Sequence, residues 1–273
     1  MAFQFQIAQP PLGLNRIMTT VANLGLTTNL KLCLDAGDIS SVASASQTKW
    51  LDVSGNGYDF FRGVDGTAEA NEPTFAGTLG RQSSSEYALF PGQDNTGRFT
   101  YDTASETWMD ALHKDNAAWT MATWVFLPAH NTTALHTIFG TVTNTGPGVS
   151  LVYTGDNDTL TLLVLHASGT AYSATLVSDI DVAAWKFVSV TIDEAGNALR
   201  WNISGTQSST TCTYTTPSSS AAATPMRIGH SGLSLGFLFA GTRMNSLLIW
   251  QGTALSAANV DSLFQATRSK FGV

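Results

Sequence analysis

The segment WTMATWVFL, residues 119–127, is apolar on both of the faces that a β-strand would present. Successive side chains of a strand point to opposite sides of its sheet, so a strand with one face in water alternates between apolar and polar residues. This segment does not alternate in that way, which predicts a central strand that is covered on both faces. One predicted face carries Trp119, Met121 and Val125, and the other carries Ala122, Trp124 and Phe126.

Further strand-like segments flank this central strand. Residues 159–166 (TLTLLVLH) and 185–192 (WKFVSVTI) are rich in the β-branched and apolar residues that strands favour. The second leads through residues 194–197 (EAGN) into residues 198–204 (ALRWNIS), and a short glycine-containing turn between two strands predicts an antiparallel hairpin. The first strand is predicted where Leu30, Leu32 and Leu34 alternate and would share one face.

Helical signals are confined to short stretches around residues 105–114 and 257–268. The second is the stronger, because Ser256 stands where an N-terminal cap is needed and Val260 and Phe264 would lie on one apolar stripe. Short alternating strands separated by turn residues are typical of two antiparallel sheets packed face to face. The predicted fold class is therefore all-β, a two-sheet antiparallel sandwich with one or two short helices.

Residues 1–28 differ in pattern from the rest of the chain. Apolar side chains are mixed with glutamines, Pro10 and Pro11 interrupt the segment, and no clean alternation is present. It is interpreted either as a frayed terminus or edge strand of the sandwich, or as an arm that docks on a neighbouring subunit. The chain is thus divided into an N-terminal arm or attachment segment, 1–28, and one sandwich domain, 29–273. Because the segment lacks a basic start, we do not expect a secretory signal.

The charge composition limits the partners of this protein. The 273 residues carry a net charge of −7, and charged residues make up only 12% of the chain. No run of lysine or arginine is present, which argues against a nucleic-acid partner because phosphate binding requires clustered positive charge. No stretch approaches the ~20 consecutive apolar residues of a membrane span, so no membrane partner is expected. A low-charge surface rich in hydroxyl groups suits an extracellular or particle-bound protein better than a free cytosolic enzyme.

Four groups of segments, taken in order, carry a resemblance to a known family. They are residues 30–36 with 50–59 (WLDVSGNGYD), 118–125 (AWTMATWV), 185–193 (WKFVSVTID) with Gly196 and Asn197, and 239–241 with 247–250 and 254–256. In this order they are similar to the opening strand and loop, the buried aromatic strand, the hairpin and the closing strand of LamG-like, concanavalin A-like jelly-roll domains. The resemblance extends over nearly the whole chain after residue 28. It implies a jelly roll of two antiparallel sheets, a fold that supports enzymes, lectins and inert spacers alike.

The sequence contains no recognisable catalytic constellation. Hydrolases of this general fold carry an E-x-D-x-x-E strand motif, to which nothing here corresponds. The acids of retaining glycosidases lie about 5 to 5.5 Å apart. The spaced pairs available, Asp156 with Asp158 and Asp179 with Asp181, fall in polar connections, where they are interpreted as solvated loop acids. The histidines also lack metal-ligand spacing. We therefore predict no enzymatic activity and no catalytic, cofactor-binding or metal-binding residues.

The resemblance leaves a structural calcium ion open as an alternative to the prediction of no cofactor. Many LamG-like domains bind calcium, and Asp52, Asn56 and Asp59 offer oxygen ligands in one loop. In the family an acidic residue usually lies near the start of the closing strand, at residues 244–250, where this chain has Asn245. The pattern for a calcium site is therefore incomplete.

The leading functional hypothesis is a non-enzymatic structural protein of a bacteriophage particle. It would be a capsid decoration or cementing protein, or an accessory tail protein, attached through its N-terminal segment. The hypothesis combines a surface-type sandwich, low charge, no export signal and no catalytic constellation. The expected partners are virion proteins, such as the major capsid or tail protein, and further copies of the chain in a homo-oligomer. The expected location is the virion surface, after synthesis in the host cytoplasm without a signal peptide.

The alternative hypothesis is a carbohydrate-binding lectin module for adhesion to glycans on a host surface. Its mark would be exposed aromatic side chains in a groove. The candidates are Tyr58, Tyr101, Tyr153, Tyr172 and Trp201. A glycoside hydrolase ranks third, because the sequence offers no convincing pair of catalytic carboxylates.

Overall fold

The structure of the protein is a computed structural model. It describes most of the chain after the first fifteen residues. The described residues are 16–92, 96–103, 107–128, 135–143, 146–155, 158–166, 169–177, 180, 183–214, 220–231 and 236–273.

Strands dominate the described part of the chain, and its helices are short. The helices are α1 (Ile17–Asn23), α2 (Thr107–Asp110) and α3 (Ala257–Thr267), and α3 continues into a 3-10 helix at Arg268–Phe271. Among these residues, no helix has the length and hydropathy needed to cross a membrane. The strands are β1 (Leu30–Asp35), β2 (Lys49–Trp50), β3 (Phe60–Arg62), β4 (Thr74–Ala76), β5 (Tyr87–Leu89), β6 (Phe99–Tyr101), β7 (Ala118–Phe126), β8 (Leu135–Gly140), β9 (Gly148–Thr154), β10 (Thr159–His166), β11 (Gly169–Val177), β12 (Trp185–Asp193), β13 (Ala198–Ile203), β14 (Thr206–Thr210), β15 (Arg227–Ile228) and β16 (Arg243–Gln251).

The strands form two antiparallel sheets that pack face to face. The first sheet has the order β14-β13-β12-β7-β16-β5-β4, and β1 also pairs with β16. The second sheet has the order β11-β10-β9-β8-β15-β6-β3-β2. Side chains from the inner faces of both sheets share one buried apolar core. The predicted fold class, an all-β sandwich with few short helices, is confirmed.

Strand β7 lies at the centre of the first sheet, between β12 and β16. Trp119, Met121 and Val125 point into the core between the sheets. Ala122 and Trp124 point the other way, into a second core on the outer side of the first sheet. The prediction that this segment is a strand covered on both faces is therefore confirmed.

A helical layer forms the cover on the outer face of the first sheet. Helix α3 begins after Ser256, whose hydroxyl oxygen accepts a hydrogen bond from the Asn259 amide at 3.1 Å, as the sequence predicted. Helix α1 contacts α3 beside it. The buried side chains of this layer include Ile17, Val21, Leu26, Val260, Leu263, Phe264 and Phe271.

The described part of the predicted N-terminal segment, residues 16–28, packs within this helical layer. The Ile17 amide donates a hydrogen bond to the buried carboxylate of Asp35 at 3.2 Å. The carbonyl oxygen of Leu26 accepts one from the indole of Trp250 at 2.6 Å. The packing therefore shows no break at residue 28, because these residues cover apolar surface of the first sheet. Residues 1–15 lie outside the described residues, and attachment through the N-terminal segment stays a prediction.

Two local predictions differ from the structure. Leu32 and Leu34 enter the core between the sheets, whereas Leu30 packs in the helical layer. The pairing of β1 with β16 is irregular between Leu30 and Leu32, and a shift of one residue turns a strand side chain to the opposite face. The helix predicted around residues 105–114 is shorter in the described residues, where it occupies Thr107–Asp110 and is followed by turns.

Candidate functional site

The loop that follows β2 is held together by the carboxylate of Asp52. Its Oδ1 accepts hydrogen bonds from the backbone amides of Cys33 and Ser54, each at 2.9 Å. Its Oδ2 accepts from the Ser54 hydroxyl at 2.7 Å and from the Tyr58 amide at 3.1 Å. This carboxylate ties the loop to β1, so the loop that carries the family resemblance builds the fold.

The other side chains considered for calcium are also engaged in hydrogen bonds. The Asn56 side-chain amide donates to the carbonyl oxygens of Leu30 and Lys31, at 3.0 Å each. Asp59 Oδ1 accepts from the Asp52 amide at 2.9 Å, and burial is the main cause that raises the pKa of Asp59. Within the described ranges, no group of three or more His, Cys, Asp or Glu residues could hold a metal ion.

Asn245 occupies the position where the resemblance leads one to expect an acid. Its Oδ1 accepts a hydrogen bond from the Lys270 ammonium group at 3.1 Å, and its amide group donates to the Glu86 carbonyl oxygen at 2.5 Å. Lys270 also lies 3.8 Å from the buried carboxylate of Asp35. The cation beside Asn245 is thus an ammonium group of the chain itself. The geometry lends the calcium alternative no support.

The aromatic residues considered for a sugar-binding groove lie in or against the core. Tyr101, Tyr153 and Trp201 are buried. Tyr58 packs against two neighbouring aromatic rings, and the Tyr172 hydroxyl donates a hydrogen bond to a backbone carbonyl oxygen. Tyr101, Tyr153 and Trp201 therefore cannot line an exposed groove, because strand alternation places them on inward faces of the sandwich. Tyr58 and Tyr172 are partly buried.

Of the two spaced acid pairs interpreted as solvated loop acids, the structure describes one member, Asp158. Asp158 lies in the turn before β10, and its Oδ1 accepts a hydrogen bond from the Tyr153 hydroxyl at 3.4 Å. Asp156, Asp179 and Asp181 lie outside the described residues.

A row of polar residues crosses the outer face of the second sheet. The strand register places Arg227 opposite Thr100 on one side and opposite Gly140 on the other. Gly140 in turn lies opposite Ser150. The neighbours of these residues along each strand belong to the core between the sheets, so the row points outwards. Gly140 contributes no side chain, and the space beside it is filled, because an added Cβ would lie 3.2 Å from Ser150 Oγ and 3.3 Å from Ser231 Cβ.

Arg98, Arg227 and His230 form a basic cluster at this row. Arg98 Nε donates a hydrogen bond to the Thr100 hydroxyl at 3.0 Å, which fixes Arg98 on the same face. His230 follows β15 after Gly229, whose φ of 86° turns the chain. Arg98 and His230 are each 6% exposed, and Arg227 is half-buried.

The positive charges of this basic cluster interact unfavourably. Burial, followed by the charge of Arg227, lowers the pKa of Arg98 to about 10. Burial also lowers the pKa of Arg227. The pKa of His230 falls to about 4, chiefly through burial and then through the two guanidinium groups. At neutral pH the cluster therefore holds two guanidinium charges and a neutral imidazole.

The basic cluster lacks sufficient partners within the described part of the chain. Neither guanidinium forms an ion pair there. Glu69 raises the pKa of Arg98, but its Oε2 already accepts the Val64 amide at 2.7 Å. An unsatisfied buried donor costs about 1–3 kcal/mol, so a group of them indicates a ligand or water site. The buried atoms without a hydrogen-bond partner on this face are Arg227 Nε, His230 Nδ1 and Ser150 Oγ.

Acid sensitivity of folding is expected from His230. An unfolded histidine has a pKa of about 6.5, and the folded value is about 4. Between these values the unfolded state binds more protons, so the free energy of unfolding should fall as the pH decreases through this window. Urea denaturation across this pH range checks the result.

The matched variant for this pH prediction is His230→Asn, which cannot titrate. Its unfolding free energy should depend less steeply on pH over the same window, with part of the dependence kept by His113, whose pKa burial also lowers. Above about pH 7.5 histidine is neutral in both states, so the two proteins should differ there by a constant. Equal slopes for the two proteins in the acidic window would contradict the assignment.

A cavity of about 320 Å³ lies between the helical layer and the first sheet. Trp124, Phe271 and Ile17 form its apolar wall, and Lys270 and Gln82 contribute polar groups. The Lys270 ammonium group donates to Gln82 Oε1 at 3.1 Å, in addition to its contacts with Asn245 and Asp35. The charge of Lys270 is thus already balanced within the protein, unlike that of the basic cluster.

The fold is a two-sheet antiparallel sandwich, and a family model agrees with it. The model Laminin_G_3, described as the concanavalin A-like lectin/glucanases superfamily, matches residues 99–261. The chain belongs to this family. No curated protein matches the sequence.

Solved structures with the same fold include binding domains and one domain of an extracellular enzyme. The binding domain of botulinum neurotoxin DC in complex with SialylT is 12% identical with a TM-score of 0.62, over 88% of this chain and 52% of that one. Domain 4 of AbnA, an extracellular arabinanase from Geobacillus stearothermophilus, in complex with arabinotriose, is 20% identical with a TM-score of 0.58, over 87% and 98% of the two chains. This chain spans about half the length of the neurotoxin domains. These likenesses show the shared fold.

Proposed function

We propose that this protein is a non-catalytic carbohydrate-binding module. The observation that carries the proposal is the set of buried, unpaired polar atoms on the outer face of the second sheet, at Arg227, His230 and Ser150. Sugars present rings of hydroxyl groups that both donate and accept hydrogen bonds. A row of hydroxyl and guanidinium groups on a rigid sheet suits that chemistry, because the donors are held in place before the ligand arrives.

The family and the fold relatives support this proposal. The family joins lectins with glucanases. The neurotoxin domain and the arabinanase domain were each solved with a ligand, SialylT in one case and arabinotriose in the other. Fold alone does not assign function, so the proposal depends on the polar face of this chain.

The acids beside the basic cluster support a binding role over a catalytic one. Glu72 Oε1 accepts the Glu69 amide at 2.8 Å, and Glu72 Oε2 pairs with Arg62 Nε at 2.8 Å. Glu69 accepts the Val64 amide through Oε2. Both carboxylates thus fold the loop after β3. A general acid or nucleophile needs a carboxyl group free to meet the substrate.

The test is binding to an array of neutral, uronate-containing, sialylated and sulfated oligosaccharides. We expect the protein to bind at least one class, and Arg227→Met to lose that binding. Incubation with the corresponding polysaccharides should release no new reducing ends. Arg81→Gln, which removes an exposed arginine from a loop, is the matched control for charge. No binding to any class would refute the module, and release of reducing ends would refute its non-catalytic character.

The role on a bacteriophage particle remains a second proposal, supported by composition and by the N-terminal segment. The module would be displayed on the virion surface as a capsid decoration or accessory tail protein that contacts host glycans. Because residues 16–28 pack in the helical layer, the appropriate truncation removes residues 1–15 alone. Loss of particle attachment with an unchanged melting temperature would support the proposal. Attachment equal to that of the full chain would count against it.

A further inference from the structure

We infer that the basic cluster binds the negatively charged group of an acidic sugar, a carboxylate or a sulfate ester, an assignment that rests on the proposed function. Arg98 and Arg227 would supply the counter-charge. The Thr100 hydroxyl, which accepts a hydrogen bond from Arg98 and donates one to the Gly63 carbonyl oxygen at 2.8 Å, would hold Arg98 in position.

Some basic side chains outside the basic cluster have charged or aromatic partners, although Arg200 and Arg243, like Arg227, each have a buried Nε without a hydrogen-bond partner. Elsewhere Arg16, Lys49, Arg62 and Lys270 form ion pairs with carboxylates at 2.6 to 3.8 Å. Arg243, on the first sheet, lies over the rings of Tyr87 and Phe126. In the described part of the chain, neither arginine of the cluster has an ion pair. A bound anion would supply the missing charge.

The geometry suits a planar or tetrahedral anion. A guanidinium group presents paired N–H donors that match the oxygens of a carboxylate or sulfate. Arg98 directs Nε to the Thr100 hydroxyl at 3.0 Å, and within the described residues no ion pair engages its terminal nitrogens. Arg227 Nε is buried and unpaired.

The strength of the contact follows from the burial of Arg98 and the half-buried position of Arg227. Interactions between charges are stronger where protein excludes water, and they are screened less by salt than on an open surface. Both arginines are already held in place by the sheet or its flanking loop, so an anion meets prepared donors. A free anion could satisfy the same charges, and the test must therefore separate a sugar from an inorganic ion.

Replacing Arg227 should change the melting temperature differently depending on whether the arginine binds a ligand or stabilises the fold. Two buried like charges destabilise the empty protein, and replacing buried charges by apolar groups is often neutral or stabilising. Arg227→Met should therefore keep or raise the melting temperature while it removes binding. A structural arginine would show the reverse, a fall in melting temperature.

The experiment is isothermal titration with matched pairs of sugars. The pairs are sialyllactose with lactose, an oligogalacturonate with a neutral galactan oligosaccharide, and a sulfated with an unsulfated galactan oligosaccharide, and sodium sulfate is the inorganic control. We expect the acidic member of at least one pair to bind about tenfold or more tightly than its neutral partner. Arg227→Met and Arg98→Met should abolish the difference. Arg81→Gln should retain it.

Each outcome of the titrations decides one point. Preference for the sialylated or uronate member indicates a carboxylate, and preference for the sulfated member indicates a sulfate ester. Equal binding of acidic and neutral members overturns the acidic-sugar assignment and leaves the carbohydrate module standing. Sodium sulfate binding as tightly as the sugars also overturns the assignment. No binding of any sugar overturns the proposed function as well. A lower melting temperature of Arg227→Met together with unchanged binding overturns the role of Arg227.

Discussion

Replacing Asp52 with alanine is expected to lower the free energy of unfolding by at least about 3 kcal/mol, because several donors lose their acceptor together. The affected groups are the backbone amides of Cys33, Ser54 and Tyr58, and the Ser54 hydroxyl. The Cys33 amide belongs to β1, which is buried on both faces, so water cannot easily replace the lost carboxylate there. Urea denaturation measures the change.

Two variants sharpen the Asp52 prediction. Asp52→Asn keeps one acceptor oxygen but turns an N–H group towards the remaining donors, so its effect should be intermediate. Asp65→Ala is the matched control, since Asp65 lies in an exposed loop and accepts a single amide, that of Thr67, at 2.7 Å. If Asp52→Ala were no more destabilising than Asp65→Ala, the loop would not be held by this carboxylate.

Replacing Trp124 with alanine is expected to cost about 3–5 kcal/mol of unfolding free energy, the range for large buried aromatic residues. The Trp124 ring stacks on Phe271 with centroids 4.0 Å apart and lies 6.0 Å from Phe264. Its indole nitrogen donates to the Thr267 hydroxyl at 2.9 Å. The substitution would leave a void between β7 and α3 and loosen the helical layer. Guanidinium denaturation and hydrogen exchange in α3 give the measurements.

The Trp124 prediction separates packing from hydrogen bonding through further variants. Trp124→Phe keeps most of the stacking and loses the indole donor, so it should cost much less than alanine. Thr267→Val removes the acceptor from the other side and should cost about 1 kcal/mol. An alanine variant as stable as the phenylalanine variant would contradict the assigned packing. Binding at the basic cluster, on the other sheet, should persist in any folded Trp124 variant.

Local alternation was sufficient to predict the strands, because it depends only on side chains a few positions apart. The segment 119–127 predicted a strand buried on both faces, and β7 is one. The hairpin through residues 194–197 appears as the pairing of β12 with β13, and Ser256 caps α3. Each of these patterns lies within about ten residues of sequence, so it can be recognised without knowing which segments pack against it.

Predictions that depend on which residues pack against each other in the folded protein were less successful. Tyr101 and Tyr153 were candidates for an exposed groove and are buried, since the sequence does not say which face of a strand meets the second layer. Residues 1–28 were set apart as an arm, a frayed terminus or an edge strand, because Pro10 and Pro11 interrupt them and their apolar residues show no clean alternation. In the structure, Ile17 and Val21 of helix α1 are buried because they pack beside α3 and the outer face of the first sheet.

The sequence by itself determined the sandwich, its family resemblance and the central strand at residues 119–127. Only the tertiary structure decided which residues meet on the outer face of the second sheet. Arg98 and Arg227 are far apart along the chain and lie at or beside short strands, β6 and β15, whose pairing brings them together with His230. The sequence shows no run of basic residues for this cluster. The pairing of separate strands brings its members together, although Arg98 is far from Arg227 and His230 along the chain.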